Sequence, residues 1–135
     1  MSSRADLIVA RARACVGIRF RAQGRGRDGL DCVGLVAAAL GIERVRADYA
    51  LRGGSGDALA RELRAQGLRP VGRSRPGDVL VMRAGPGQLH LGIWTGSGLV
   101  HADAGLRRVV ERPGEPPWAV VEQWRVRVRT KGAVR

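Results

Sequence analysis

The sequence predicts an α+β fold in which helices come first and an antiparallel sheet follows. Two observations carry this. Up to about Pro70, apolar residues recur at helical spacing between capping residues, whereas beyond it short β-branched runs are separated by Gly and Pro turns. Helices followed by strands describe an α+β domain rather than a parallel α/β one. At 135 residues the chain is long enough for one domain with its own core and too short for two of ordinary size. The expectation is one unit with a core over residues 4–128 and a loose tail over 129–135.

The elements follow in order. Ser3 with Asp6 forms a helix-start box, and Ala5, Ile8, Val9, Ala12 and Val16 then repeat at helical spacing, so a first helix spans Arg4 to Cys15. "AQGRGRDG" (Ala22 to Gly29) and "RGGSG" (Arg52 to Gly56) are flexible-loop candidates. Asp31 caps a second helix with interior Val33 to Leu40, ended by Gly41. A third runs from an Asp57 cap to Gln66, burying Leu59 and Leu63 before Gly67 stops it. The strands are "GDVLVMR", "LHLGIW", "GLVHA", "LRRVVE" and "VVEQWRVRVR".

The turn "TGSG" fixes one register. Trp94 faces Leu99, Gly92 faces His101, and His90 faces Asp103. His90 and His101, the chain's two histidines, thereby share a face as diagonal neighbours, and Gly92 leaves room for the rings to lean together.

Composition excludes more than it assigns. No apolar run is long enough for a membrane-spanning helix, and the N-terminus shows no apolar signal core, so synthesis in the cytoplasm without a signal peptide is expected. Cys15 and Cys32 are then free thiols. The formal charge of +12 is nearly all arginine, Lys131 being the sole lysine. Such a surface attracts polyanions in general, but one Tyr and one Phe give no base-stacking platform, so specific nucleic-acid recognition is not expected.

Chemistry centres on Cys32. Behind an Asp31 cap it stands in the first helical turn, where unpaired N–H groups and the helix dipole favour thiolate. Cys15, late in its helix, is packing. A thiolate nucleophile needs a base, and the two same-face histidines supply one imidazole as base and a second group, His101 or Asp103, to orient it. The same Cys32, His90 and His101 are also the residue types of a zinc site.

"LDCVGLV" (Leu30 to Val36), "PGDVLVM" (Pro76 to Met82) and "HLGIWTGSGLVHA" (His90 to Ala102) resemble, in order and spacing, the three motif blocks of the NlpC/P60 cysteine peptidases. The compact length and "LRPVGRSRPGDVLVMR" look most like the branch encoded with phage tails and gene transfer agents. The resemblance implies a papain-like core with Cys32 as nucleophile, His90 as general base and His101 as the orienting residue. It implies cleavage of peptidoglycan stem peptides, commonly between D-γ-glutamate and the diamino acid, with no metal or other cofactor. It further implies a phage-like tail hub or baseplate as partner, incorporation into the particle tail, and as the alternative a tail-assembly role with a weak or vestigial site. Asp31 is shared with the family as cap or substrate anchor. Val33 replaces a common serine, and Phe20 stands where a tyrosine often lines the site, keeping an aromatic wall without its hydroxyl. Gly34 permits close helix packing, Asp78 forms a turn, and Trp94, on the His90 face, is the tryptophan best placed to touch substrate.

Overall fold

In a computed structural model, residues 3–43 and 56–127 are described. Most of the "RGGSG" loop and the tail at 129–135 lie outside the described residues. Helix α1 (Arg4–Ala14) begins with Ser3 and Asp6 exchanging both bonds of a capping box, and Cys15 is its C-cap. Helix α2 (Cys32–Leu40) has Asp31 as N-cap and Gly41 in the left-handed conformation, φ 75°, at its end. Helix α3 (Asp57–Ala65) corrects one expectation: Gly56 occupies the cap position without a side-chain bond, and Asp57 lies in the first turn, where its charge still complements the helix dipole.

The "AQGRGRDG" segment is not a featureless loop. It contains β1 (Arg25–Gly26), paired antiparallel with β2 (Gly29–Leu30). The main sheet has six antiparallel strands in the order β3-β8-β4-β5-β6-β7. These are β3 (Leu68–Pro70), β4 (Val79–Gly85), β5 (Gln88–Trp94), β6 (Gly98–Asp103), β7 (Arg108–Pro113) and β8 (Ala119–Val126). Strand β3, absent from the sequence reading, pairs with β8 at the sheet edge, the position where Pro70 is tolerated.

Alternation divides the sheet into two faces. Val79, Val81, Leu91, Ile93, Val100, Ala102 and Val109 join the helices in the main core. Leu80, Met82 and Leu99 form a smaller cluster on the other face with Trp94 and Trp118. Asp78 is more than a turn-former: besides accepting the Arg75 N–H at 2.8 Å, it is buried and ion-paired with Arg125 at 2.8 Å. Among the described residues no helix is long and apolar enough to cross a membrane.

Gly34 tests how tightly α2 is seated. A Cβ there would lie 2.1 Å from the Gly24 carbonyl oxygen, so the close approach it permits is to the loop before β1 rather than to another helix. Gly34→Ala is expected to lower unfolding stability in urea by about 1–3 kcal/mol. Gly72→Ala, with nothing within 4 Å of the added carbon, should stay within about 0.5 kcal/mol of the parent.

Candidate active site

The start of α2 is held by one carboxylate. Asp31 Oδ1 accepts the Gly34 N–H at 2.8 Å and an Arg25 Nη1 bond at 2.7 Å, while its Oδ2 accepts the Gln23 N–H at 2.9 Å. Every one of these bonds serves placement, so Asp31 is a cap that also ties α2 to the segment preceding it. Cys32, the first helical residue, is thereby fixed against the sheet.

The sheet opens where the thiol arrives. Thr95 N–H donates to the Gly98 carbonyl at 2.9 Å, and the β5–β6 ladder then pairs Trp94 with Leu99 and Ile93 with Val100, in the register expected from the turn. Alternation makes Leu91 opposite Ala102 the next hydrogen-bonded position, but the named pairing has already stopped. The Leu91 N–H instead bonds the Cys32 sulfur. The thiol thus sits at the mouth of the gap between the two strands, against the residue that follows His90.

The two imidazoles stand at the same gap. Nε2 of His90 and Nδ1 of His101 are 3.0 Å apart and share a hydrogen bond, with the rings nearly perpendicular at 89°. Trp118 meets both edge-on, 5.0 Å from His90 and 5.2 Å from His101 between ring centroids. The space beside Gly92 is not what lets the rings meet: a Cβ there would strike Leu99 Cδ1 at 2.6 Å, so that pocket is filled by leucine.

Burial sets the charge state. Loss of water pushes the Cys32 thiol up from its ordinary 9.0 to about 12, and the Asp31 charge adds to this; the Leu91 and Cys32 N–H groups and Arg25 pull against it without prevailing. The helix terminus favours the anion, as expected, and burial of Cys32, at 6% exposure, acts against it as the larger influence. His90 is driven down from 6.5 to about 4 by burial first and His101 second, against the pull of Asp103. His101 is lowered by burial, with Arg112 adding to the effect and Asp103 opposing it. At neutral pH the site holds a thiol and two uncharged imidazoles.

The remaining residues sort as follows. His101, not Asp103, makes the direct bond to His90; Asp103 acts on both rings through its field while its Oδ1 accepts the Leu106 N–H at 3.0 Å. Phe20 packs partly buried against the main core, bridging to Leu30. Trp94 and Trp118 both pack on the small cluster, and Trp118, not singled out for the site from the sequence, is the tryptophan that touches the imidazoles. No local signal distinguished it, because the contact is made by a loop that crosses back over the sheet. Trp124 is wholly buried, with Arg64 lying 5.1 Å from its ring centroid. Cys15 is buried packing, as expected. Among the described residues no group of three or more His, Cys, Asp and Glu side chains is arranged to hold a metal ion.

With this geometry in place, the chain can be compared with known proteins. The model of the NlpC/P60 family matches residues 17–127. The chain belongs to the NlpC/P60 family. It is 31% identical over 109 residues to the Escherichia coli protein named murein DD-endopeptidase MepS/murein LD-carboxypeptidase, which covers 76% of this chain and 51% of that protein. The chain therefore spans about half the length of the curated relatives it matches. Among solved structures, RipD of Mycobacterium tuberculosis, described as a non-catalytic NlpC/p60 domain protein adapted to peptidoglycan binding, superposes with a TM-score of 0.59 at 19% identity, covering 93% of this chain and 99% of that one. The NlpC/p60 domain of the peptidoglycan hydrolase SagA gives 0.55 at 22% identity over 81% and 88%. Both likenesses concern the fold, a papain-like α+β arrangement of helices on an antiparallel sheet.

The buried groups make stability depend on pH in a defined direction. His90 binds its proton less readily folded than unfolded, so its contribution is present above about pH 6.5 and is lost as pH falls through about 4. Urea unfolding should show this loss, at most about 3 kcal/mol, and His90→Asn should flatten the acid limb relative to the parent. The Cys32 thiol holds its proton more tightly when folded, so its contribution is intact below about pH 9 and disappears towards 12. Alkylation of Cys32 by iodoacetamide should accordingly be slow at pH 7 and still rising at pH 10, where an ion-paired catalytic thiolate would already have reached a plateau.

Proposed function

We propose that the chain is a cysteine endopeptidase of peptidoglycan stem peptides, acting at the bond between D-γ-glutamate and the diamino acid. One observation carries the reading: the thiol at the start of α2 takes the N–H of Leu91, the residue that follows His90, and His90 is itself hydrogen-bonded to His101. The endopeptidase name of the E. coli relative supports the substrate class.

In this reading His90 donates its Nε2–H to Nδ1 of His101, which leaves His90 Nδ1 as the free base. Because the resting pair is neutral, the Cys32 proton passes to that nitrogen as the sulfur attacks the carbonyl carbon, rather than in advance. The oxyanion is taken by N–H groups at the start of α2, that of Cys32 first. His90 then protonates the leaving amine, the C–N bond breaks, and water activated by the same imidazole cleaves the thioester. His101 holds the ring and its tautomer. The setting we propose is the tail of a phage-like particle or gene transfer agent, with a hub or baseplate protein as partner, supported by the resemblance of "LRPVGRSRPGDVLVMR" to that branch.

Digestion of purified muropeptides, followed by mass spectrometry, should release a new amine terminus at the diamino acid. Cys32→Ala should abolish it, His90→Ala should cut kcat/KM by about 100-fold or more, and His101→Asn should retain more activity than His101→Ala. Equal turnover by parent and Cys32→Ala protein would refute the mechanism.

A second reading has one observation of its own: the thiol is buried and held protonated. It takes the domain as an assembly part of a tail with a weak or vestigial site. Particles carrying Cys32→Ala would then infect normally, whereas particles lacking the domain would not assemble.

A further inference from the structure

The strand beyond the imidazole pair carries a row of arginines on the same face. Cα partners in an antiparallel ladder project to one side of the sheet. The β6–β7 register pairs Leu99 with Arg112, His101 with Val110 and Asp103 with Arg108, so Arg112 and Arg108 flank the His101 row. An isolated bridge then sets Arg19 opposite Arg108, with the Arg19 Nε–H donating to the Asp28 carbonyl at 2.9 Å and its two terminal nitrogens uncommitted to any acid among the described residues. Glu111, one residue out of phase, points to the helix side and pairs with Arg13 of α1.

This arrangement is costly as a purely structural one. Arg19 and Arg108 place like charges directly opposite each other, which destabilises a strand pair. All three arginines are exposed, and none forms an ion pair with a described residue. The acid on this face, Asp103, spends one oxygen on its own turn. The charge of Arg112 also reaches the imidazole, since it helps hold His101 in its neutral form. An anion lying along β7 would offset the repulsion and sit one strand spacing, about 5 Å, beyond His101.

We propose that Arg19, Arg108 and Arg112 form an anion subsite beside the imidazoles, which takes a free carboxylate of the stem peptide. The inference rests on the peptidase reading for the identity of the ligand. It makes the chain selective for stems whose γ-linked glutamate keeps its α-carboxylate over stems in which that group is amidated. A planar guanidinium fork suits a carboxylate, and the neutral amide offers it no charge.

The test uses binding, so it does not depend on turnover. Two muropeptides identical except for a free or amidated α-carboxyl are titrated calorimetrically into Cys32→Ala protein. The free acid should bind about fivefold to tenfold more tightly, and the difference should shrink at high salt. Adding Arg108→Gln and Arg112→Gln should erase the preference by weakening the free acid alone. Arg61→Gln, at an exposed position of α3, removes a charge outside the row and should preserve it. Equal affinity for the two peptides in the Cys32→Ala background, or a preference that survives the double arginine replacement, would overturn the subsite. A lack of cleavage by the parent protein would count against the peptidase reading while leaving this binding result standing.

Discussion

Everything about the site depends on how the first turn of α2 is seated. The Asp31 carboxylate joins three pieces of chain: the α2 backbone at Gly34, the loop at Gln23, and the β1 side chain Arg25. Gly34 allows the helix to come so close to the Gly24 carbonyl that no side chain fits between. These constraints drive Cys32 into the place where β5 and β6 part. The ladder gives up its next hydrogen-bonded pair there, and the Leu91 N–H is satisfied by sulfur instead. A buried backbone donor has to find some partner, so opening the sheet and inserting the thiol are two sides of one arrangement.

The same insertion explains the electrostatics. Two influences act on the sulfur with opposite sign, the helix terminus with its N–H groups favouring thiolate and the loss of water favouring thiol. At an exposed helix start the first would prevail; at this depth the second does. Trp118 extends that dry environment over the imidazoles, packing its ring against both on the face where Leu80, Met82 and Leu99 already exclude water. A neutral thiol and a neutral imidazole are compatible with catalysis only if proton transfer accompanies bond formation. Substrate that stabilises the developing charge then contributes to the transition state rather than to binding alone.

What the sequence made legible was whatever is encoded locally. The Ser3–Asp6 box, the Asp31 cap and the Gly41 terminus are short-range signals, and all three operate as read. The "TGSG" turn fixed the β5–β6 register, and with it the shared face of His90 and His101, because a two-residue period leaves no freedom once the turn is set. What escaped was non-local. Strand β3 is three residues long, ends in proline and exists by pairing with β8. The Asp78–Arg125 ion pair spans 47 residues of chain, and the contact of Trp118 with the imidazoles comes from a loop approaching over the sheet. The thiol was read from its helix alone, and the burial that pushes its pKa up is a tertiary effect.

The distribution of charge across β7 follows from the same two-residue period. Glu111 faces the helices and pairs with Arg13, which helps hold α1 against the sheet, while Arg108 and Arg112 are turned by alternation towards the histidines. On β7 the sides differ: Glu111 is paired on the helix face, whereas Arg108, opposite Asp103, and Arg112 lie on the face that bears the imidazoles. A basic composition that carried little information as a total thus acquires direction once the register is known, and on β7 the direction is towards the face of His101.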